Sequence, residues 1–129
     1  VTGYVQILSS KIKYINDLLG VGGNLSLTNS VIIAMPHLKV VGGNLLMQKS
    51  DILNFNELDK VAYNVYLMDS YIGSAKNMNS IGGACISENS KIDVLPNHRI
   101  ACQSVTVIDE KRNLTHKFYD CYTRKILIL

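Results

Sequence analysis

The chain is short of several things that would settle its class at once. Its three cysteines, at 85, 102 and 121, make an odd number with no close spacing. Small secreted domains carry dense, even disulfide frameworks, so a reducing, cytoplasmic compartment is the expectation. No apolar run reaches eighteen residues and no basic stretch leads into an apolar one. Both a spanning helix and a retained signal peptide are therefore disfavoured. Charge of one sign is scarce too. Residues 1–100 hold eight Lys/Arg against seven Asp/Glu, and residues 101–129 five against three, for a formal net charge of +3. That balance is too even to point to nucleic acid. Cys-x-x-Cys and His-x-x-x-His pairs are absent, so nothing spaces ligands for a metal. Disorder is disfavoured as well: 47% of the 129 residues are hydrophobic and 18% charged, the range of one ordinary globular domain. The chain opens on Val1 rather than Met, as a processed terminus or a piece of a longer protein would.

What is present is a period of twenty. Val21-Gly22-Gly23-Asn24, Val41-Gly42-Gly43-Asn44, Val61-Ala62-Tyr63-Asn64 and Ile81-Gly82-Gly83-Ala84 open successive units, after Val1-Thr2-Gly3-Tyr4. A fixed period of this length means stacked units that cannot bury their apolar faces alone. With each coil numbered 1 to 20, position 5 reads Val5, Leu25, Leu45, Val65, Cys85 and Val105; position 7 reads Ile7, Leu27, Met47, Leu67, Ser87 and Val107. Alternation of this kind marks a short strand with odd positions inward. Ile12, Ile32, Ile52, Ile72 and Ile92 form a far wall with Ile15, Met35, Phe55, Ala75 and Leu95, and Leu18, Leu38, Leu58 and Met78 close the core before the column breaks at His98. About five inward side chains per coil follow.

Ser10, Ser30, Ser50, Ser70 and Ser90 share position 10. Five equivalent copies imply a buried ladder that satisfies backbone groups at a turn, not a catalytic serine. The Gly-Gly pairs are followed by no Lys-Ser/Thr, so they are not a phosphate loop. A bend or positive φ ahead of each strand is their expected role.

The unit Val21–Leu38, with Leu25, Leu27, Ser30, Ile32, Met35 and Pro36 in place, resembles a short leucine-rich repeat of the bacterial and phage Val-Gly-Gly-x-Leu type; Leu45, Met47, Ser50, Ile52 and Phe55 repeat the match one coil later. There is some likeness to receptor L-domain repeats. The resemblance covers about residues 1–100, with Ser in place of the family's Asn and Gly-Gly where a leading leucine is common. It implies a mainly β solenoid of five to six coils, a parallel sheet on a concave face, an irregular or 3₁₀ convex side, and protein–protein recognition as an inhibitor, effector or adaptor. An effector would work in a host cytosol. No catalytic residue, cofactor or metal is carried over.

The solenoid is expected over coils 1–20, 21–40, 41–60, 61–80 and 81–100, with a last coil and β cap in 101–129. In the cap, Asp109–Asn113 reads as a turn, and Leu114–Tyr122 and Ile126–Leu129 as strands. The apolar Ile126–Leu129 edge must be paired or buried.

Outward strand positions 4, 6 and 8 line the candidate surface. Asn24, Asn44 and Asn64 suggest an amide ladder, more structural than ligand-binding. Leu46, Tyr66, Met68, Ile86 and Ile108 make the middle of the same face apolar, which marks an interface with a protein partner or a second copy of the chain. His98, Cys102, His116 and Cys121 are the only residues left with chemistry for a zinc site or a Cys/His nucleophile; a buried thiol and cap histidines are the plainer reading. Lys111, Arg112, Lys117, Arg124 and Lys125 give the cap a basic tint better read as a solvated face than as a nucleic-acid site. Asn24-Leu25-Ser26 and Asn113-Leu114-Thr115 match the glycosylation sequon, a motif short enough to arise by chance.

Overall fold

The computed structural model describes residues 2–96, 100–108, 114–115, 117–120 and 125–128. Among the described residues every regular element is a strand. Each coil begins with a four- or five-residue strand: β1 (Val5–Leu8), β4 (Leu25–Thr28), β7 (Leu45–Gln48), β10 (Val65–Met68) and β13 (Ala84–Glu88), continued by β15 (Ser104–Ile108). A second strand follows after one corner: β2 (Lys11–Tyr14), β5 (Val31–Ala34), β8 (Asp51–Asn54), β11 (Tyr71–Ser74) and β14 (Lys91–Val94). A third, of two residues, ends the first four coils: β3 (Gly20–Val21), β6 (Val40–Val41), β9 (Lys60–Val61) and β12 (Ser80–Ile81). Strands of each kind pair in parallel with their counterparts, and the first set keeps a register of twenty throughout, Val5 opposite Leu25 and Leu25 opposite Leu45. The protein is a three-sided β-solenoid of about five turns.

The corner between first and second strands is made at position 9. Ser9, Asn29, Lys49, Asp69 and Asn89 all adopt φ between 46° and 50°. Asn and Asp tolerate this left-handed conformation best among residues with a side chain. The turning residue still ladders, since Asn29 N–H donates to the Gln48 carbonyl at 3.0 Å. Serine at position 10 then closes the corner. The Ser50 hydroxyl donates to the Gln48 carbonyl at 2.9 Å and accepts the Ser30 N–H at 3.0 Å. The same pair of bonds recurs at Ser30 and Ser70. Ser30, Ser50 and Ser70 are buried, so the expected ladder is present where water is excluded.

The inward columns at positions 5, 7, 12, 15 and 18 are as expected, and a sixth joins them. Val21, Val41, Val61 and Ile81, which the period alone marks as the start of a coil, are buried because the third strand points them at the core. Val41, Leu45, Met47, Ile52, Phe55 and Leu58 thus fill the third coil.

Two expectations are corrected. The side expected to be irregular is built from the second and third strands, because the inward isoleucine at position 12 stands between outward positions 11 and 13, whatever their polarity, and supports a ladder there too. The glycine pairs Gly22-Gly23, Gly42-Gly43 and Gly82-Gly83 do sit at bends, but not through positive φ, which no glycine among the described residues adopts. Their hydrogen side chain lets one coil's backbone lie on the next. A Cβ at Gly22 would stand 2.7 Å from the Thr2 carbonyl oxygen, and one at Gly43 would meet both the Gly23 carbonyl carbon at 2.7 Å and the Asn24 amide oxygen. The fourth coil accommodates Ala62 and an exposed Tyr63, so this preference is steric and local.

After β15, which still keeps the register of twenty, the parallel ladder ends. β16 (Leu114–Thr115) pairs antiparallel with β15, ending the parallel ladder, and β17 (Lys117–Asp120) pairs antiparallel with β18 (Lys125–Ile128). The apolar Ile126 and Leu127 backbone is thereby paired, opposite Tyr119 and Phe118. The turn expected at Asp109–Asn113 lies outside the described residues, as do Arg124 and Leu129.

Candidate functional site

A period equal to the coil length turns sequence columns into spatial ones. On the first sheet Tyr66 pairs with Leu46 on one side and Ile86 on the other. Partner residues on adjacent strands stand about 4.8 Å apart with side chains on the same face. Met68 shares that face two residues further along β10, between Gln48 and Glu88. Tyr66 and Met68 are 39% and 40% exposed, while Leu46 and Ile86 are half-buried at their flanks. These four form one continuous apolar stripe. In the register Ile108 stands opposite Glu88, and Glu88 opposite Met68; the Ile108 side chain lies outside the described ones.

The three asparagines are committed along the stack. Asn44 N–H donates to Asn24 Oδ1 at 2.7 Å, Asn64 N–H to Asn44 Oδ1 at 2.8 Å, and Ala84 N–H to Asn64 Oδ1 at 2.9 Å. A side-chain oxygen that accepts the next coil's backbone N–H holds the spacing at the point where the glycine pair removes side chains. Only one bond runs from amide to amide, Asn44 Nδ2 to Asn24 Oδ1 at 3.2 Å. Asn24 lies just ahead of β4, not within it.

A second apolar surface was not anticipated. On the outer face of the second sheet Val31, Ile33 and Leu53 are 42%, 38% and 46% exposed. The signal was in the sequence: if Ile32 and Ile52 point inward, their neighbours in a strand must point out. Further along this face Tyr71 donates its phenol hydrogen to Asp93, which also pairs with Lys91 at 3.0 Å. The hydrogen bond to Asp93 raises the Tyr71 phenol above its ordinary range, and the same bond, followed by Lys91, lowers the Asp93 carboxyl. All three sit at the surface, where such pairs contribute little.

The cap chemistry lies mostly out of view. His98, His116 and Cys121 fall outside the described residues; Cys102 is half-buried. Among the described residues no cluster of three or more His, Cys, Asp or Glu side chains could hold a metal. Burial pushes the Cys85 thiol up to about 11 from an ordinary 9.0, which leaves it protonated and a poor nucleophile at neutral pH.

No family model, curated protein or solved structure matches the chain.

Cys85 supplies a pH test of the packing around it. Between pH 9 and 11 an unfolded chain loses this proton and the folded chain keeps it, so the unfolded state gains relative stability as pH rises. Wild type is expected to lose roughly 2 kcal/mol more than Cys85→Val over that interval. Urea denaturation of both proteins at pH 8 and pH 10.5 measures the difference, and parallel curves would mean that the thiol reaches water.

Proposed function

We propose that this chain is a non-enzymatic protein-binding module that docks on another protein through the outer face of its first sheet, with Leu46, Tyr66, Met68 and Ile86 as anchors. An inhibitor or effector acts in this way, by occupying a surface of its target. The observation that carries the reading is the register that sets Leu46, Tyr66 and Ile86 side by side on three adjacent strands, with Met68 beside them. Aromatic and thioether side chains on a rigid scaffold are the usual centre of an interface. Binding through them orders little, because the asparagine and serine ladders already fix the strands that present them. Asn24, Asn44 and Asn64 serve the site by holding that register. The flanking Gln48, Glu88 and Thr106 supply a polar rim.

The test is the double variant Tyr66→Lys/Met68→Lys. Both side chains are about two-fifths exposed, so the fold is expected to hold, with a melting temperature within a few degrees of wild type. A partner retained by immobilised wild type is expected to bind the double variant at least tenfold more weakly. Sedimentation of each protein alone separates a foreign partner from a second copy of this chain: a concentration-dependent dimer in wild type, lost in the variant, would make the stripe a self-association face. Undiminished capture by the variant would remove the stripe from the proposal.

A further inference from the structure

The corner column carries one dipeptide type in two states of closure. Asn29-Ser30, Asp69-Ser70 and Asn89-Ser90 occupy equivalent places on their coils, and the leading residue of each sits at φ between 47° and 50°. Local geometry is therefore shared. In the first two pairs the next coil holds the serine N–H: Ser30 donates to Ser50 Oγ at 3.0 Å, and Ser70 to Ser90 Oγ at 3.0 Å. Among the described residues the Ser90 N–H has no such acceptor. Twenty residues on, the sequence has Glu110 in place of serine, so the column of hydroxyls ends at Ser90. Ser30 and Ser70 are buried, whereas Ser90 is half-buried and Asn89 exposed.

An asparagine followed by a small residue holds an electrophile and a nucleophile side by side, which is why asparagine is among the thermolabile residues. The following nitrogen attacks the side-chain carbonyl carbon after it gives up its proton and turns toward that carbon. A buried N–H bonded to a fixed oxygen does neither. By this criterion Asn29 is locked and Asn89 is not.

We propose that Asn89 is a site of spontaneous deamidation, with water as the only co-reactant. Ser90 N bonds to Asn89 Cγ as the Cγ–Nδ2 bond breaks, and Nδ2 leaves as ammonia with the proton that Ser90 N releases through solvent. Water then opens the five-membered imide at either carbonyl. Aspartate or isoaspartate is left at position 89, and nothing is oxidised or reduced.

Asp69 gives the product a consequence. Asn89 Nδ2 donates to Asp69 Oδ1 at 2.8 Å, whereas a carboxylate at position 89 has no hydrogen to give and meets a like charge on the neighbouring coil. Isoaspartate adds a backbone atom at a corner between two fixed registers, Met68 opposite Glu88 and Tyr71 opposite Lys91. Both products loosen the fifth coil from the fourth.

Peptide mass spectrometry of protein held for weeks at pH 8.5 tests the site. Conversion at Asn89 is expected to run at least tenfold faster than at Asn29, or at Asn79, where the Ser80 N–H donates to the Asp59 carbonyl at 3.2 Å. Ser50→Ala removes the acceptor of the Ser30 N–H, and is expected to raise conversion at Asn29 at least fivefold while Asn79, which reports general unfolding, stays at its wild-type rate. Equal rates at Asn89 and Asn29 in wild type would overturn the proposal, a comparison that stands even if the variant does not fold. An unchanged Asn29 rate in folded Ser50→Ala protein would overturn it as well.

Discussion

Phe55→Ala is expected to destabilise the fold by about 3–5 kcal/mol, the largest effect of any single truncation in the core. Phe55 is fully buried at the far wall of the third coil and is the bulkiest of the fully buried side chains. Truncation costs most where surrounding structure cannot collapse into the space left behind. Here collapse is opposed on all three sides, since the third coil is bonded to the second and the fourth through each of the three parallel sheets. Phe55 also lines a cavity of about 210 Å3 with Ala75 and Leu67 of the fourth coil, so its loss would enlarge that space instead of opening an isolated one. In a domain of this size each kcal/mol corresponds to roughly 3–5 °C, so a fall in melting temperature of roughly 10–20 °C is expected. Thermal and urea unfolding of the variant measure it. A loss below about 1 kcal/mol would mean that coils slide together freely, and that the ladders do not fix their spacing.

The same rigidity explains which parts of this molecule can be read in its sequence. In-register parallel stacking maps every twentieth residue onto a line, so the period alone sets Leu46, Tyr66 and Ile86 side by side and Glu88 between Met68 and Ile108. The inward columns were legible for the same reason. The second and third strands were less so. Val31-Ile32-Ile33-Ala34 is apolar throughout and shows no alternation, while Lys11-Ile12-Lys13-Tyr14 does, and a leucine-rich-repeat pattern assigns the region to irregular backbone. The glycine pairs resisted reading because the group they avoid is the backbone twenty residues earlier, a contact that propensity cannot express. Position 9 hid its left-handed turn because Ser9 and Lys49 share the column with Asn29, Asp69 and Asn89. That cavity shows in the sequence only as three small residues, Ala75, Cys85 and Ser87. Their coincidence in one cavity is a fact of three dimensions.

Ser50→Ala is expected to cost about 2–3 kcal/mol, and Ser10→Ala less than half of that. Each hydroxyl donates to a carbonyl two residues back, Ser50 to Gln48 at 2.9 Å and Ser10 to Leu8 at 2.8 Å, so the local turn loses the same bond in both variants. What differs is the bond between coils. Ser50 Oγ accepts the Ser30 N–H at 3.0 Å, and Ser30 and Ser50 are each 1% exposed, so removing the hydroxyl strands a donor where no water reaches it. The Ser10 hydroxyl lies in a pair open to solvent, and water replaces it. The orphaned Ser30 N–H, not the missing side chain, thus supplies most of the expected loss. Urea midpoints of the two variants at matched m decide between these origins. Equal losses would mean that the hydroxyls serve only their own turns, and that the column of serines sets the corner of each coil without joining one coil to the next.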